Sequence, residues 1–159
     1  MAAKIFSRSR LSQTLKKTRG RKKIVFTNGC YDLLHVGHVR LLRKARSLGD
    51  KLVVALNSDG SVRRLKGPGR PLVGEKNRAE LIAALDCVDY VTFFSEPTPL
   101  ETIRALKPDI LIKGADYAAS EIVGKDDVKK VVRFPLVKGF STSTLIRKIV
   151  HAYGRKKKR

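Results

Sequence analysis

Hydrophobic positions along this chain fall into short blocks whose spacing switches between two periods. Ile24, Val25 and Phe26 lead into Thr27 as a β-branched and aromatic run, closing on Asn28-Gly29, a turn signal. Val36, Val39, Leu42, Ala45 and Leu48 then recur at helical spacing, with Gly49 as a stop. Residues 52–56 are continuously apolar, as in a strand covered on both faces. Residues 58–74 are polar and rich in Gly, Pro and basic side chains, which predicts a loop. A second helix is predicted around residues 80–85, a third strand over 88–94 and a helix with Pro near its start over 99–106. A fourth strand follows at 110–112, a fifth over 131–137 interrupted at Pro135, and a last helix is marked by Leu145, Ile146, Ile149 and Val150. The alternation predicts an α/β fold, a doubly wound parallel five-stranded sheet. Such sheets bind ligands beyond the carboxyl ends of their strands, so chemistry is expected in the loops after Phe26, Leu56 and Ile112.

Composition narrows the class. The chain has 159 residues, 42% of them hydrophobic, which is the size of one domain with enough apolar side chains for a core. A disordered chain is thereby excluded. No apolar run approaches the roughly 18–20 residues needed to span a bilayer, and the N-terminus has no uninterrupted apolar signal segment. We therefore expect no membrane partner and a cytoplasmic location. Cys30 and Cys87 are the two cysteines; they make no disulfide framework, fit a reducing compartment, and read as packing residues rather than nucleophiles.

Charge divides the chain further. There are 35 Lys and Arg against 14 Asp and Glu, a net of +21. Nine of the basic residues lie within the first 23, which contain no acid, and the last five residues are all basic, leaving +7 for residues 24–154. This predicts a basic N-terminal extension (1–23), a mildly basic domain (24–154) and a basic C-terminal tail (155–159). Like-charge blocks serve solubility and general attraction to anions, or contact nucleic acid, an acidic partner or a membrane surface.

The first strand–helix junction carries the densest chemistry. His35 and His38 are three apart, flank Gly37 and sit where the helix begins. On a first helical turn, residues at i and i+3 share a face, so both imidazoles can meet one ligand over a helix N-terminus. That terminus offers free N–H groups and the positive dipole end, a phosphate cradle. Two other readings stand beside it: histidines packed in the core, and a metal site with Cys30, whose spacing fits no usual zinc pattern. Ser141, Thr142 and Ser143 precede the last apolar helix, either as caps or as a second phosphate-binding helix end. Arg46 lies eight residues after His38 on a similar face, as a phosphate contact or a solvated charge. Residues 63–70 combine four basic side chains with Gly67, Pro68 and Gly69, as a lid over anions or an ordinary surface loop. Lys113, Asp59 and Asp116 lie at the ligand ends of strands.

His35-Val36-Gly37-His38 after a strand resembles the His-x-Gly-His signature of the nucleotidyltransferase superfamily that includes the cytidylyltransferases. Residues 26–34, Asn57-Ser58-Asp59, residues 63–71 and Lys113-Gly114-Ala115-Asp116-Tyr117 extend the likeness to the heptose 1-phosphate adenylyltransferases, over about residues 24–150. Ala115 departs from the pattern, since relatives often have a second glycine there. The resemblance implies a Rossmann-like nucleotidyltransferase fold and transfer of AMP from ATP to a sugar 1-phosphate, giving ADP-heptose for the lipopolysaccharide inner core and pyrophosphate. It implies Mg²⁺ accompanying ATP, no protein-held metal, and a homodimer. Many relatives are fused to a sugar kinase, so this chain would be the stand-alone form. The implied catalytic residues are His35, His38 and Arg46, the last matching a triphosphate contact in related cytidylyltransferases. Thr27, Asn28, Gly37, Ser141, Thr142 and Ser143 would bind the nucleotide. Asp32, Asn57, Asp59, Lys66, Arg70, Lys113 and Asp116 would meet substrate, with Asp32 alternatively orienting the loop or a Mg²⁺ ion. Alternatives are a cytidylyltransferase for a polyol phosphate, a flavin-nucleotide adenylyltransferase, or a nucleic-acid-binding protein that uses its basic ends.

Overall fold

A computed structural model describes residues 4–114, 122–135 and 139–154 of the protein. Five strands form: β1 (Ile24–Gly29), β2 (Lys51–Asn57), β3 (Tyr90–Phe94), β4 (Ile110–Gly114) and β5 (Lys130–Phe134). All pairings are parallel and the spatial order is β3-β2-β1-β4-β5. The doubly wound sheet is therefore present. After β3 the chain crosses to the other side of β1, so the switch point lies between β1 and β4, where such sheets open a crevice at the carboxyl edge.

Alternation along the strands divides the core in two. On one face Val25, Leu52, Val54 and Leu56 pack with Leu42 and Ala45 of α2 (Val36–Arg46) and Ala79 and Ile82 of α4 (Glu75–Ala83). On the other, Ile24, Phe26, Val53 and Ala55 pack with Ile103 and Leu106 of α5 (Leu100–Leu106). This second face is completed by a helix the apolar pattern did not announce, α1 (Arg8–Thr18), which buries Leu11 and Leu15. The expectation of a solvated extension is thus corrected for residues 4–23. Leu11 and Leu15 are one helical turn apart, and the surrounding basic residues mask that spacing.

Polar contacts lock this segment in place. Phe6 donates its N–H to Val91 O and Val91 donates to Lys4 O, so Ile5 bridges β3 as a short parallel extension of the sheet. Arg8 pairs with Glu96 at 2.6 Å, and Arg19 with Asp109 at 2.6 Å. Asp109 also accepts from Ile24 N at 2.9 Å and pairs with Lys129 at 3.0 Å, joining α1, β1 and β5 at the amino edge. Burial alone would raise the Asp109 carboxyl; the Ile24 N–H and the two cations outweigh it and hold its pKa below the usual range.

Two boundaries also differ from expectation. Within the polar stretch 58–74, Asp59–Lys66 forms a helix, α3, whose N-cap Ser58 accepts from Ser61 N–H and whose Val62 is fully buried. A capping serine and one buried apolar side chain, with Ser61 buried beside it, make this turn a helix without any long apolar stripe. The fifth strand ends at Phe134, before Pro135, which lacks the N–H to continue the ladder. The last helix, α6, spans Thr142–Tyr153. No helix among the described residues is long and apolar enough to cross a membrane. The basic run 155–159 lies outside the described residues.

If α1 is part of the domain, Leu11→Ala should lower the unfolding free energy by about 2–5 kcal/mol in urea denaturation. A solvated extension would show no change.

Candidate active site

The carboxyl edge beside the switch point collects most of the predicted chemistry. At the end of β1, Asn28 accepts a hydrogen bond from the Lys113 ammonium at the end of β4, so the two side chains span the crevice. From β1 the chain runs through residues 30–34 into α2. His35 is the N-cap in extended conformation (φ −143°), Val36 and Gly37 open the first turn, and His38 is its third residue. Nothing at this N-terminus is acidic; the His35 and His38 N–H groups are taken up within the pair, and the N–H groups of Val36 and Gly37, with the dipole, are left to meet an anion.

The two imidazoles stack, with ring centroids 3.8 Å apart and planes at 20°. The His38 Nδ1 faces the backbone N–H of His35 at 3.4 Å and accepts from it. A neutral His38 therefore carries its proton on Nε2. Burial, and secondarily the neighbouring His35, pull the His38 pKa down to about 4, and burial lowers that of His35. Both rings are neutral at pH 7, so they act as hydrogen-bond donors and not as fixed charges. The His35 Nδ1 is buried with no hydrogen-bond partner, a polar atom whose desolvation is uncompensated.

Around this pair sits a scaffold of buried polar groups. Asp32 is completely buried; its carboxylate accepts from Leu72 N at 2.8 Å and Val73 N at 2.9 Å and pairs with Arg70 Nε at 2.5 Å. It thus pins the loop of residues 67–74 to the histidine loop. That engagement corrects the assignment of Asp32 to substrate or Mg²⁺ and leaves it orienting the loop. Arg70 is drawn into the same contact, and Lys66, exposed at the end of α3, lies close enough to Cys30 to influence its thiol. Burial keeps the Cys30 pKa above its usual value despite Lys66, Arg78 and Arg70, which suits a packing thiol.

Three other assignments change. Thr27 is 1% exposed and lies close enough to the Tyr31 phenol to lower its pKa, a place in the scaffold beneath the loop. Asn57 is 4% exposed, and its amide donates to Ser61 Oγ at 3.0 Å; it braces α3. Arg46 lies at the opposite end of the molecule: its guanidinium donates to Gly49 O at 2.6 Å and pairs with Asp89 at 3.2 Å, at the amino edge of β2 and β3. The reason is geometric. Eleven helical residues span about 16 Å, and α2 runs antiparallel to β1, so its last turn returns to the edge where the strands begin.

Sequence reasoning missed Arg78. Its side chain is fully buried, and the guanidinium donates to Cys30 O at 2.5 Å, to Asn57 O at 2.8 Å and to Asp59 Oδ1 at 2.7 Å. One side chain thus ties the loops after β1 and β2 to the start of α3. Burial pushes the Asp59 carboxyl up, but the Arg78 hydrogen bond and charge, with the Glu75 backbone, hold its pKa below the usual value. The signal was available: Arg78 stands four residues before Ile82, on the buried face of α4.

The second predicted helix end is present as an exposed N-terminus. Ser141 caps α6 by accepting from Thr144 N at 3.0 Å, with Thr142 and Ser143 in the first turn and Arg147 one turn on, its guanidinium 3.5 Å from Thr144 Oγ1. β5 ends beside Gly114 at the carboxyl edge, and the chain passes from there to Ser141. Asp116 lies outside the described residues. Among the described residues no group of three His, Cys, Asp or Glu side chains is arranged to hold a metal ion, and the Asp32 carboxylate is already engaged. This donor set does not fit a protein-held cation. A divalent ion brought with a nucleotide would be bound by phosphate oxygens and water, the usual habit of Mg²⁺.

Comparison with known proteins agrees with this geometry. A family model described as cytidylyltransferase-like matches residues 26–149. The bifunctional protein HldE of Geobacter metallireducens is 58% identical over 143 residues, covering 87% of this chain and 29% of that one. Its counterpart in Syntrophotalea carbinolica is 54% identical over 156 residues, 95% of this chain and 32% of that one. The chain thus spans about a third of the length of these curated relatives. Among solved structures, a lipopolysaccharide core biosynthesis protein of Thermoplasma volcanium is similar with a TM-score of 0.65 and 31% identity, over 74% of this chain and 99% of that one. Pantoate-β-alanine ligase of Francisella tularensis shares the fold, with a TM-score of 0.71 at 19% identity over 92% of this chain and 73% of that one.

The histidine geometry has a consequence for stability. With a His38 midpoint near 4 when folded and 6.5 as the ordinary value, the unfolded chain binds more protons between those two pH values. Stability contributed by this group is therefore complete above about pH 6.5 and is lost as pH falls toward 4, by on the order of 2–3 kcal/mol. Urea denaturation across pH 4–7.5 should show this slope in the native protein and a shallower one in His38→Gln.

Proposed function

The chain belongs to the cytidylyltransferase-like family, and from that membership we propose that it transfers AMP from ATP to heptose 1-phosphate, releasing pyrophosphate and forming ADP-heptose. The observation that carries this reading is the pair of neutral, stacked histidines at a helix N-terminus with no acidic residue in its first turn, at the sheet's switch point. The resemblance in residues 57–71 and 113–117 supports the sugar phosphate and ATP as the particular substrates, in the setting of the cytoplasm where ATP is supplied.

The chemistry asks little of a general base. A phosphate oxygen of the sugar phosphate, already ionised at neutral pH, attacks the α-phosphorus of ATP in line, and pyrophosphate leaves as the P–O bond to it breaks. The protein must hold two anions together and meet the charge that spreads over the α-phosphate and the leaving group. The His38 Nε2–H and the outward nitrogen of His35 donate to those oxygens, with the free N–H groups of the first turn of α2, where Gly37 presents no side chain. Asn28 and Lys113 face the crevice from β1 and β4, and the exposed Arg63, Arg64 and Lys66 give the loop above it a positive field. The α6 N-terminus at Ser141, Thr142 and Ser143 anchors further phosphate oxygens. Asp59 keeps a part in sugar or base recognition, since it is ionised and partly exposed, and Asp116 is retained for the same role on the resemblance alone. A divalent cation travels with ATP and helps neutralise the triphosphate. No step depends on Arg46.

Homodimer formation belongs to the same proposal and is supported by α6, which exposes Ile149, Val150 and Tyr153. A nucleic-acid-binding reading is not favoured, because the family match runs through residues 26–149 and leaves the basic ends on which that reading rested outside it.

In a pyrophosphate-release assay, ATP with heptose 1-phosphate should exceed CTP with a polyol phosphate or ATP with a flavin nucleotide; the reverse ranking would reassign the substrate. His38→Ala should retain the fold by circular dichroism and lose on the order of 10²–10³-fold in kcat, the scale for one transition-state donor. Arg46→Ala should leave kcat unchanged and cost about 1 kcal/mol of stability, as expected for a partly exposed ion pair.

A further inference from the structure

We propose that Tyr31 is a positioning residue for this reaction: its buried ring, turned under His38 by a left-handed backbone, holds the imidazole so that Nε2–H is the atom presented to phosphate. The inference rests on the nucleotidyl-transfer reading for its catalytic meaning, but its structural content stands on the loop itself.

Two non-glycine residues among those described have positive φ, Tyr31 at 47° and Lys107 at 48°. Lys107 is the C-cap of α5, a common place for that conformation. Tyr31 ends no helix, and a bulky residue there is an outlier that the surroundings must enforce. The consequence of the turn is where the ring goes. Tyr31 is 7% exposed, with its ring centroid 5.0 Å from that of His38 and the planes at 56°. The space it occupies depends on Gly29, where a Cβ would come within 3.0 Å of the Tyr31 ring edge. The ring belongs to the buried core on the α2 face of the sheet, in one cluster with Val25, Leu42 and Ala45.

His38 is thereby enclosed by two rings, His35 stacked on it and Tyr31 tilted against it. Its Nδ1 is closed by the His35 N–H, which leaves Nε2 as the atom free to meet a ligand. The titratable groups facing it are His35, which disfavours its protonation, and the Tyr31 phenol, itself pushed up to about 12 by burial and so uncharged. Taking away the aromatic wall admits water and rotational freedom to an imidazole whose tautomer and neutrality both depend on their exclusion.

The test uses the full chain without nucleotide, by ¹⁵N NMR of the histidine side chains across pH 3.5–8. The native protein and Tyr31→Phe should show His38 as the Nε2–H tautomer, titrating near 4. Tyr31→Leu should mix the tautomers and move the midpoint upward by about one pH unit or more toward the ordinary histidine value of about 6.5. Gly29→Ala, which crowds the ring without removing it, should move both in the same direction by less. In the pyrophosphate assay Tyr31→Leu should lose on the order of 10–10²-fold in kcat, as for a misplaced catalytic group, with KM for ATP little changed. A folded Tyr31→Leu or Gly29→Ala protein with the native tautomer and midpoint overturns the proposal. Since the NMR measurement involves no substrate, an assay that rejects ATP and heptose 1-phosphate refutes the functional reading separately.

Discussion

The guanidinium of Arg78 is the contact on which the working edge of this protein depends. A charge with no solvent exposure must find partners, and leaving it unpaired would cost several kcal/mol. Here the partners are the carbonyl oxygens of Cys30 and Asn57 and the carboxylate of Asp59. Cys30 lies on the segment leaving β1, and Asn57 and Asp59 on the one leaving β2, so one rigid fork sets the relative position of the histidine loop, the end of β2 and the start of α3. Asp32 performs the complementary task from the other direction. Its buried carboxylate collects Arg70 and two backbone N–H groups and draws the basic loop against the histidine loop.

This scaffold explains how a chain with a formal charge of +21 keeps an uncharged pair of donors at its centre. The anions are attracted by the exposed cations around the crevice and by two helix N-termini. Burial lowers the proton affinity of both histidines, and the stacked His35 lowers that of His38 further. On the proposed reaction the labour divides: distributed positive charge would draw substrate in, while neutral, oriented N–H groups would address the oxygens where charge develops. A cation in place of either ring would bind ground state and transition state alike, which raises affinity without raising turnover.

The fold also shows how charge can conceal structure. Residues 4–23 have the composition of a solvated arm, and most of their basic side chains do face water. Leu11 and Leu15 nevertheless cover one face of the sheet beside Ile103 and Leu106. Two apolar residues one turn apart are enough to bury when a hydrophobic surface is waiting for them, although they are too few to register as a periodic pattern.

What the sequence determined by itself was the succession of strands and helices, a parallel five-stranded sheet and the two histidines that open α2, because these follow from local periodicity and from residues three apart on one turn. The tertiary structure alone decided the rest. It buried Arg78 and enclosed Asp32, gave Thr27 and Asn57 to the scaffold, and sent Arg46 to the far edge, since helix direction and long-range partners fix where a side chain ends. It also turned Tyr31 beneath His38, a placement made by a left-handed backbone that no hydrophobic pattern encodes. Spacing reports which residues share a face; only the packed sheet decides which faces meet.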